Sequence, residues 1–422
     1  MKRLFCLLLC FALVPAAWAD GNFEEAALEI EETDAGEDEA WEYEDWGDDV
    51  WTPADDIPAA AVSPSNLQVP APAVVLMERD TGTVLYEKSA DDKLYPASVT
   101  KIMTLLLAME AIADGRLQYD QKISVSKAAM GMGGSTAYLH EGEQYTVEEM
   151  LKAVAVQSAN DGSVVLAEAV AGTEETFVNL MNERAKGLGM TGTHFMNPHG
   201  LDHDDHYTTA RDVAIMSRAL LFHKDIRKYT TIWLDSLRDG TFELANTNRL
   251  VRYYDGCTGV KTGTTSKAWR CVAATAERDG MKLIAVVMNA GNTDERYDSA
   301  RKMLDYGFAN YTVMAVYPDE VLTPIPVILG RQTEVQPVMA EEKSVLVEKL
   351  QRDNVLKTLD LAIDVQAPVQ KGQKLGTLIL SCNDEILAEV DIVAAEDVEK
   401  LGWWDIFSRM VRVLFLSGDA LR

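Results

Sequence analysis

A serine and a lysine three residues apart, Ser98 and Lys101, have the types and the spacing that nucleophilic chemistry needs. Residues at this spacing face the same side of a helical turn, so the amine would lie beside the hydroxyl. Burial lowers the basicity of a lysine, and a neutral lysine can take a proton from serine. The pair alone is a weak signal, because Ser124 and Lys127 repeat the spacing in a stretch that we interpret as solvated.

Two further motifs lie downstream, in settings that suit a binding cleft. Ser158-Ala159-Asn160 falls between two helical stretches, and a loop between helices can aim its side chains into a cleft. Lys261-Thr262-Gly263 ends a predicted strand in which glycines are closely spaced. Such glycines often mark a close approach by a ligand, and an extended peptide could lie along this edge as an added strand.

The helix that begins near Ser98 is predicted to form the centre of its domain. Pro96 breaks the preceding strand, and serine is favoured at a helix N-terminus. The run 102–113 is apolar on nearly every side, which is typical of a helix buried within a domain. Ser98 and Lys101 would therefore stand at the start of a buried helix.

Strand patterns occur at both ends of the segment that holds the three motifs, with helical patterns between them. Predicted strands lie at 73–77, 83–87, 259–263, 271–276 and 282–288. Predicted helices follow Ser98, run through much of 146–188, follow Thr209 and occupy 296–308. This order predicts one antiparallel sheet, completed by both ends of the segment, plus a helical lobe: an α+β domain, assigned to residues 67–312.

The sequence pattern changes at about residue 316. Helical runs stop, and prolines, glycines and alternating apolar residues take their place. This pattern predicts a small all-β domain at 316–398, which we expect to be a β-sandwich. A chain of 422 residues is long enough for two such domains with proper cores.

The three motifs, taken together and in this order, resemble the signature set of penicillin-recognising serine enzymes. Residues 73–261 are similar to the low-molecular-mass penicillin-binding proteins, the D-alanyl-D-alanine carboxypeptidases. The supporting stretches are 95–98, 157–161, 187–190, 197–201, 207–212 and 259–263. Residues 367–376 resemble the C-terminal β domain of that family. The resemblance implies a penicillin-binding/β-lactamase-like transpeptidase domain, then a small all-β domain and a C-terminal amphipathic helix.

The resemblance also implies a role for each of the acid–base residues. Ser98 would be the nucleophile, and Lys101 would be the general base that activates it. Ser158 would relay a proton toward the leaving amine. Asn160 would hold Lys101 and the amide of the substrate. Together, these four side chains would carry out acyl transfer.

The residues of the third motif would bind the substrate, again by resemblance. Lys261 would set a positive field, and Thr262 with Gly263 would help bind the terminal carboxylate. The backbone N–H groups of Ser98 and Thr264 would form the oxyanion hole. Two positions depart from the family: relatives often carry a larger aromatic residue or histidine at Thr264, and many carry an acidic residue at Thr258. Both departures leave the substrate preference open.

The implied function is a serine D-alanyl-D-alanine carboxypeptidase that removes the terminal D-alanine from the peptidoglycan stem pentapeptide. Such an enzyme needs no cofactor, and β-lactam antibiotics would also acylate it. A β-lactamase of the same fold is an alternative, although no glutamate-containing loop for rapid deacylation is recognisable. A non-catalytic penicillin sensor would need a permanent membrane span and a cytoplasmic partner domain, and we find neither pattern.

A histidine-rich loop offers a different chemistry. His194, His199, His203 and His206 occur with three aspartates within 194–206. Such a cluster can bind a metal in principle. His199, however, belongs to the loop pattern of the family, so we predict no metal and a polar surface loop that shapes the cleft. Cys257 and Cys271 flank a predicted hairpin, and either a bridge or two buried thiols remains open.

The N-terminal residues indicate export. Residues 1–19 combine a basic start, an apolar core and a small-x-small cleavage pattern, which predicts a signal peptide. Residues 20–66 follow as an acidic linker, which carries 17 carboxylates and no lysine or arginine between 20 and 56. A stretch that repels itself in this way is predicted to be disordered. The net charge of -28 argues against nucleic acid as a partner.

The C-terminal segment 400–422 is predicted to be an amphipathic helix. Its polar residues Asp405, Ser408, Arg409 and Arg412 form one narrow stripe. The apolar part is too short to span a bilayer, so we expect it to lie in the membrane surface, as in relatives. Packing on the β domain is the alternative. The predicted signal peptide and the predicted surface helix together indicate an enzyme outside the cytoplasm, attached peripherally to the outer face of the cytoplasmic membrane.

Overall fold

A computed structural model describes residues 67–416 of the chain. The predicted signal peptide at 1–19, the acidic linker up to residue 66 and the last six residues of the predicted anchor lie outside the described residues.

The first domain is built on a five-stranded antiparallel sheet with the strand order β2-β1-β9-β8-β7. Its strands are β1 (Ala73–Glu78), β2 (Val84–Lys88), β7 (Cys257–Thr265), β8 (Trp269–Arg278) and β9 (Met281–Ala290). The N-terminal strand β1 pairs with the last strand β9, so both ends of the domain complete one sheet. The predicted α+β arrangement is therefore confirmed.

Both faces of this sheet are covered, so β1 is buried along its whole length. Alternate residues of β1 enter two separate cores: Val75 lies in one, and Val74 and Leu76 lie in the other. A strand sends successive side chains to opposite faces, so each face has its own apolar set. Residues within or next to the three sequence motifs, such as Val99, Ala159 and Val260, belong to the larger core.

The helical lobe lies between the strands in sequence. Its helices are α1 (Lys101–Ala113), α2 (Lys127–Met130), α3 (Val147–Lys152), α4 (Asn160–Ala171), α5 (Glu174–Gly187), α6 (Ala210–Phe222), α7 (Arg227–Thr230) and α8 (Leu250–Tyr253), and α9 (Thr293–Asn310) follows the sheet. Small hairpins are formed by β3 (Lys122–Ser124) with β4 (Gln144–Thr146) and by β5 (Leu234–Leu237) with β6 (Phe242–Ala245). Sequence patterns missed these strands because each has only three or four residues.

Helix α1 is buried on almost all sides, as its sequence predicts. Ten of its thirteen residues are buried, and they include Lys101. A 3-10 turn at Ala97–Thr100 leads into it. Helix α6 packs against α1 and also against the sheet. Ser98 therefore lies in the turn before the central helix of the domain, and Lys101 starts that helix.

The second domain is all β. Its strands are β10 (Tyr311–Val316), β11 (Ile325–Ile328), β12 (Glu334–Val335), β13 (Pro337–Met339), β14 (Lys343–Glu348), β15 (Val355–Leu361), β16 (Val365–Gln366), β17 (Lys374–Cys382) and β18 (Glu385–Ala394). The sheets have the orders β13-β18-β17-β15, β12-β11-β16 and β10-β14. Strand β10 begins before the predicted boundary at residue 316. The apolar stretch 321–329 predicts a longer strand, but β11 covers only Ile325–Ile328 and ends before Leu329, which has a left-handed φ of 58°.

A last helix, α10 (Trp403–Leu416), follows the β domain. Trp403, Trp404, Ile406, Phe407 and Met410 are exposed rather than packed on that domain. None of the helices within residues 67–416 is long and apolar enough to cross a membrane.

The cysteines within the described range are free. In the β7–β8 ladder Cys257 pairs with Ala276, whereas Cys271 pairs with Gly263. The two thiols therefore lie at different heights along the hairpin, and a bridge between them would need a shift of register.

Candidate active site

The backbone at Ser98 is confined from two sides. A side chain on Gly263 would place its Cβ only 2.9 Å from Ser98 N, and one on Gly200 would overlap the carbonyl of Ala97. Ala97 itself has a φ of 49°, a left-handed conformation that is unfavourable for a residue with a side chain. Strand β7 and the loop 197–201 therefore pack closely against Ala97, the residue before Ser98, and strained backbone of this kind is concentrated at functional sites.

Lys101 is fully buried, and its amine has three close neighbours. The Nζ atom lies 2.9 Å from Ser98 Oγ, 2.6 Å from Asn160 Oδ1 and 2.6 Å from the carbonyl oxygen of His199. The last two atoms can only accept hydrogen bonds. A neutral amine has two N–H groups for them, and its lone pair is then left for the Ser98 hydroxyl.

The surroundings of Lys101 favour that neutral form. Burial lowers the pKa of Lys101 well below its usual value, and the nearby positive charge of Lys261 lowers it further. The carboxylate of Asp161 acts in the opposite direction. A lysine in this environment can serve as a base near neutral pH.

The Ser158–Asn160 motif stands where a helical turn ends and the next helix begins. A π-helical turn at Ala153–Gln157 ends at Ser158, which has a φ of 65°, and α4 starts at Asn160. The predicted location between two helices is confirmed. Ser158 and Asn160 are both buried. The Asn160 Nδ2 group donates to Gly133 O at 2.7 Å, which leaves Oδ1 to face Lys101.

Strand β7 brings the third motif to the same cleft. Lys261 is buried, and burial together with the positive charge of Arg296 lowers its pKa to about 7. Thr262 Oγ1 donates to Thr247 Oγ1 at 2.6 Å. Because β7 is an edge strand of the sheet, a peptide backbone can pair with it beyond Gly263.

Arg296 is a site residue that sequence reasoning missed. It is buried in the first turn of α9, and its Nη1 lies 3.4 Å from Thr264 Oγ1. Its Nε atom has no hydrogen-bond partner among the described residues. The only available signal was a cation at a helix N-terminus, where acidic residues are normally favoured. A buried, incompletely paired guanidinium beside Thr264 suits an anionic ligand.

Two histidines of the 194–206 loop act as structural supports. His206 Nε2 donates to Thr100 Oγ1 at 2.8 Å, and its Nδ1 accepts from Met196 N at 2.9 Å. His199 Nδ1 accepts from Leu201 N at 3.2 Å. Burial lowers the pKa of both imidazoles to about 3, so they stay neutral. Across residues 67–416, no cluster of histidine, cysteine or acidic side chains could hold a metal ion.

The second serine–lysine pair, Ser124 and Lys127, is exposed, as its interpretation as a solvated stretch predicts. Ser126, which lies within the 124–127 stretch, caps α2 through Ala129 N at 3.0 Å and donates to Glu168 at 2.9 Å. Val125 is buried. Val125 and Ser126, which lie between the two residues of the pair, are shielded because they anchor this short helix.

The fold and the site together define a penicillin-binding, transpeptidase-like protein of mixed helix and sheet. Residues 59–292 match the D-alanyl-D-alanine carboxypeptidase family, and residues 312–400 match the C-terminal domain of penicillin-binding protein 5. The chain therefore belongs to the D-alanyl-D-alanine carboxypeptidase family, and its assignment as a serine-type enzyme of this family is confirmed.

Individual relatives support the family over most of the chain. The carboxypeptidase DacF of Bacillus subtilis is 43% identical over 350 residues, which are 82% of this chain and 90% of that protein. DacC of Escherichia coli is 33% identical and covers 82% of this chain and 91% of its own length. Penicillin-binding protein 5 from Haemophilus influenzae has a TM-score of 0.67 at 28% identity and covers 79% of this chain and 98% of that structure. Penicillin-binding protein D2 from Listeria monocytogenes, in its ampicillin-bound form, has a TM-score of 0.53 at 31% identity, over 58% of this chain and 99% of that one.

Proposed function

We propose that the chain removes the terminal D-alanine from peptidoglycan stem pentapeptides through an acyl-enzyme on Ser98. One observation carries this proposal: the buried amine of Lys101 has two obligatory acceptors, and its remaining position faces Ser98 Oγ at 2.9 Å. The other serine–lysine pair with this spacing, Ser124 and Lys127, is exposed, so its amine is not held in a buried site of this kind.

The proposed acylation begins when Lys101 Nζ takes the proton of Ser98. The freed Oγ forms a bond to the carbonyl carbon of the penultimate D-alanine, and the carbonyl oxygen becomes an oxyanion that the N–H groups of Ser98 and Thr264 stabilise. The C–N bond then breaks, and Ser158 relays the proton from Lys101 to the leaving amine. D-alanine departs, and the shortened peptide stays bound to Ser98 as an ester.

Deacylation uses the same groups with water as the nucleophile. Lys101 takes a proton from water, the water oxygen attacks the ester carbon, and the proton returns to Ser98 Oγ as the ester bond breaks. The products are the shortened stem peptide and the restored enzyme.

We further propose that the terminal carboxylate of the substrate lies among Lys261, Thr262, Thr264 and Arg296. Lys261 and Arg296 are both buried cations, and each lacks an acidic partner in the described hydrogen-bond network. A carboxylate placed between them would form charge-assisted hydrogen bonds. Gly263 keeps this edge open, because any side chain there would meet the backbone of Ser98.

β-Lactam antibiotics are proposed to acylate the same serine. The Listeria relative was solved in ampicillin-bound and cefotaxime-bound forms, and the site of this chain has the same family fold. A penicillin also carries a carboxylate near its reactive carbonyl, so it would use the same anchors.

The enzyme is proposed to work outside the cytoplasm and to attach to the membrane surface through α10. The support is the exposed cluster of Trp403, Trp404 and Phe407, whose neighbouring ring centroids lie 4.8 to 6.1 Å apart. A 14-residue helix is about 21 Å long, which is short for the roughly 30 Å hydrocarbon core but suits an orientation along the surface.

The decisive experiment compares Ser98→Ala with Ser124→Ala. Ser98→Ala should lose covalent labelling by a fluorescent penicillin and also the release of one alanine from a stem pentapeptide, detected by mass spectrometry. Ser124→Ala should retain both. Labelling that survives in Ser98→Ala would contradict the assignment of the nucleophile.

A further inference from the structure

One wall of the cleft is formed by the loop 133–139, called here the wall loop, which lies between α2 and β4. It forms hydrogen bonds to Asn160 at the end of the Ser158–Asn160 motif and to Gln157, the residue before that motif. Asn160 N donates to Ser135 O at 2.7 Å, and Asn160 Nδ2 donates to Gly133 O at 2.7 Å. Ser135 Oγ donates to Gln157 O at 2.7 Å. The orientation of the Asn160 side chain therefore depends on the position of this loop.

The wall loop is in turn held by Asp161, the residue directly after the motif. Its carboxylate accepts from Ala137 N at 3.0 Å and from Leu139 N at 3.1 Å, and it also accepts from Gly162 N at 2.8 Å. Asp161 is almost completely buried. A buried carboxylate is costly unless it is hydrogen-bonded, so these amide contacts hold the loop strongly.

These contacts form a chain from Asp161 to the reacting atoms. Asp161 holds the wall loop, and the loop in turn holds Asn160 Nδ2. Asn160 Oδ1 then accepts a hydrogen bond from Lys101 Nζ at 2.6 Å. If the loop moved, the Asn160 side chain would lose its hydrogen bond to Gly133 O and would no longer orient the Lys101 amine toward Ser98.

We propose that Asp161 is a positioning residue for acyl transfer, which holds the wall loop so that Asn160 directs the Lys101 amine toward Ser98. This inference rests on the proposed function of Ser98. Asp161 forms no hydrogen bond to Ser98 or Lys101, and its positioning effect is transmitted through the loop and Asn160.

Asp161 also leaves an electrostatic signature that a purely structural residue would lack. The charged or titratable groups that face Lys101 are Lys261 on β7, Asp161 on α4 and the neutral His199 of the neighbouring loop. Lys261 lowers the pKa of Lys101, whereas Asp161 raises it. Removing the negative charge of Asp161 should therefore lower the pKa of Lys101 and keep the base neutral to lower pH.

The test uses the second-order rate of Ser98 acylation by a fluorescent penicillin, measured across pH in the full-length protein. In Asp161→Asn one carboxylate oxygen is replaced by an N–H donor that cannot accept from the loop. We expect acylation to be about 10- to 100-fold slower, the scale of a small misplacement of a catalytic group. The acid limb of the pH profile should move to lower pH.

Glu78→Gln is the matched control. Glu78 is also a fully buried carboxylate that accepts backbone N–H groups of a turn, from Asp80 at 3.1 Å and Thr81 at 2.7 Å. It lies at the end of β1, which β9 and β8 separate from β7. This variant should lose stability but keep the acylation rate within about twofold and the same acid limb.

Ser135→Ala gives an independent measurement if Asp161→Asn does not fold. It removes one loop contact without a change of charge, so acylation should slow severalfold while the acid limb stays in place. An Asp161→Asn rate within twofold of wild type, an unmoved acid limb in that variant, or an equal loss in Glu78→Gln would overturn the proposal. An unchanged rate in Ser135→Ala would also overturn it. Failure of the wild-type protein to be labelled would instead contradict the proposed function.

Discussion

Replacing Arg296 with methionine tests whether a buried guanidinium binds the carboxylate end of the substrate. The substitution keeps an unbranched side chain of similar length and removes the positive charge. Arg296 is buried, its Nε lacks a hydrogen-bond partner among the described residues, its Nη1 lies 3.4 Å from Thr264 Oγ1, and its guanidinium lies 4.4 Å from the centroid of the Tyr297 ring. A cation with so few partners should interact strongly with an incoming carboxylate.

The size of the effect follows from these contacts. A hydrogen bond to a charged group contributes about 1.5 to 3 kcal/mol, which corresponds to a loss of roughly 10- to 150-fold in kcat/KM. A second effect opposes part of this loss. Arg296 lowers the pKa of Lys261, so its removal should raise that pKa and keep Lys261 positively charged. We therefore expect a loss in the lower half of the range.

The assay compares two substrates that differ only at the C-terminus. Arg296→Met should lower kcat/KM about 10- to 40-fold for a soluble stem pentapeptide with a free carboxylate. For the matching C-terminal amide, which lacks the anionic partner, the loss should be less than about threefold. Arg301→Met is the control on the same helix, because the Arg301 side chain is partly exposed and pairs with Asp298 at 3.4 Å.

The comparison separates binding of the carboxylate from general damage to the site. Equal losses for the acid and the amide would refute the role of Arg296 as a carboxylate anchor, and so would an Arg301→Met variant that loses as much activity. Arg296→Lys should recover part of the loss, because it restores the charge without the planar geometry of arginine.

Two further predictions concern stability and attachment. The folded pKa of His199 and His206 is about 3, below the ordinary value of 6.5, so the unfolded chain binds more protons as the pH falls from 6.5 toward 3. The free energy of unfolding should therefore fall by up to about 1.4 kcal/mol per pH unit for each histidine as the pH falls through this range. When that free energy is measured by chemical denaturation at several pH values, it should depend less steeply on pH in His206→Gln, whereas the exposed-site control His140→Gln should behave like the wild type. Truncation before residue 401 should abolish sedimentation with anionic phospholipid vesicles and leave peptidase activity on a soluble peptide intact. Vesicle binding by the truncated protein would show that the contact lies elsewhere.

Much of the fold was predictable from local patterns. The apolar run after Ser98 predicted the buried helix α1, and alternating or continuous apolar stretches predicted all five strands of the main sheet. These signals are readable because the residues that an element buries are apolar, so the pattern of apolar residues along its own sequence shows which face is buried. The short strands β3 to β6 and the limits of β11 were not predictable, because three or four residues hold too little periodic information.

The sequence by itself determined which residue types could carry out acyl transfer and the order in which they occur. Only the tertiary structure decided how they meet: Lys101 reaches Asn160 and the His199 carbonyl across long stretches of chain. It also brings Arg296 to within 3.4 Å of Thr264 and places the Asp161 carboxylate against the wall loop, contacts that no sequence pattern predicted. Hydrogen bonds and charges act through space, so residues far apart in sequence acquire their function only when the fold brings them within a few ångströms of one another.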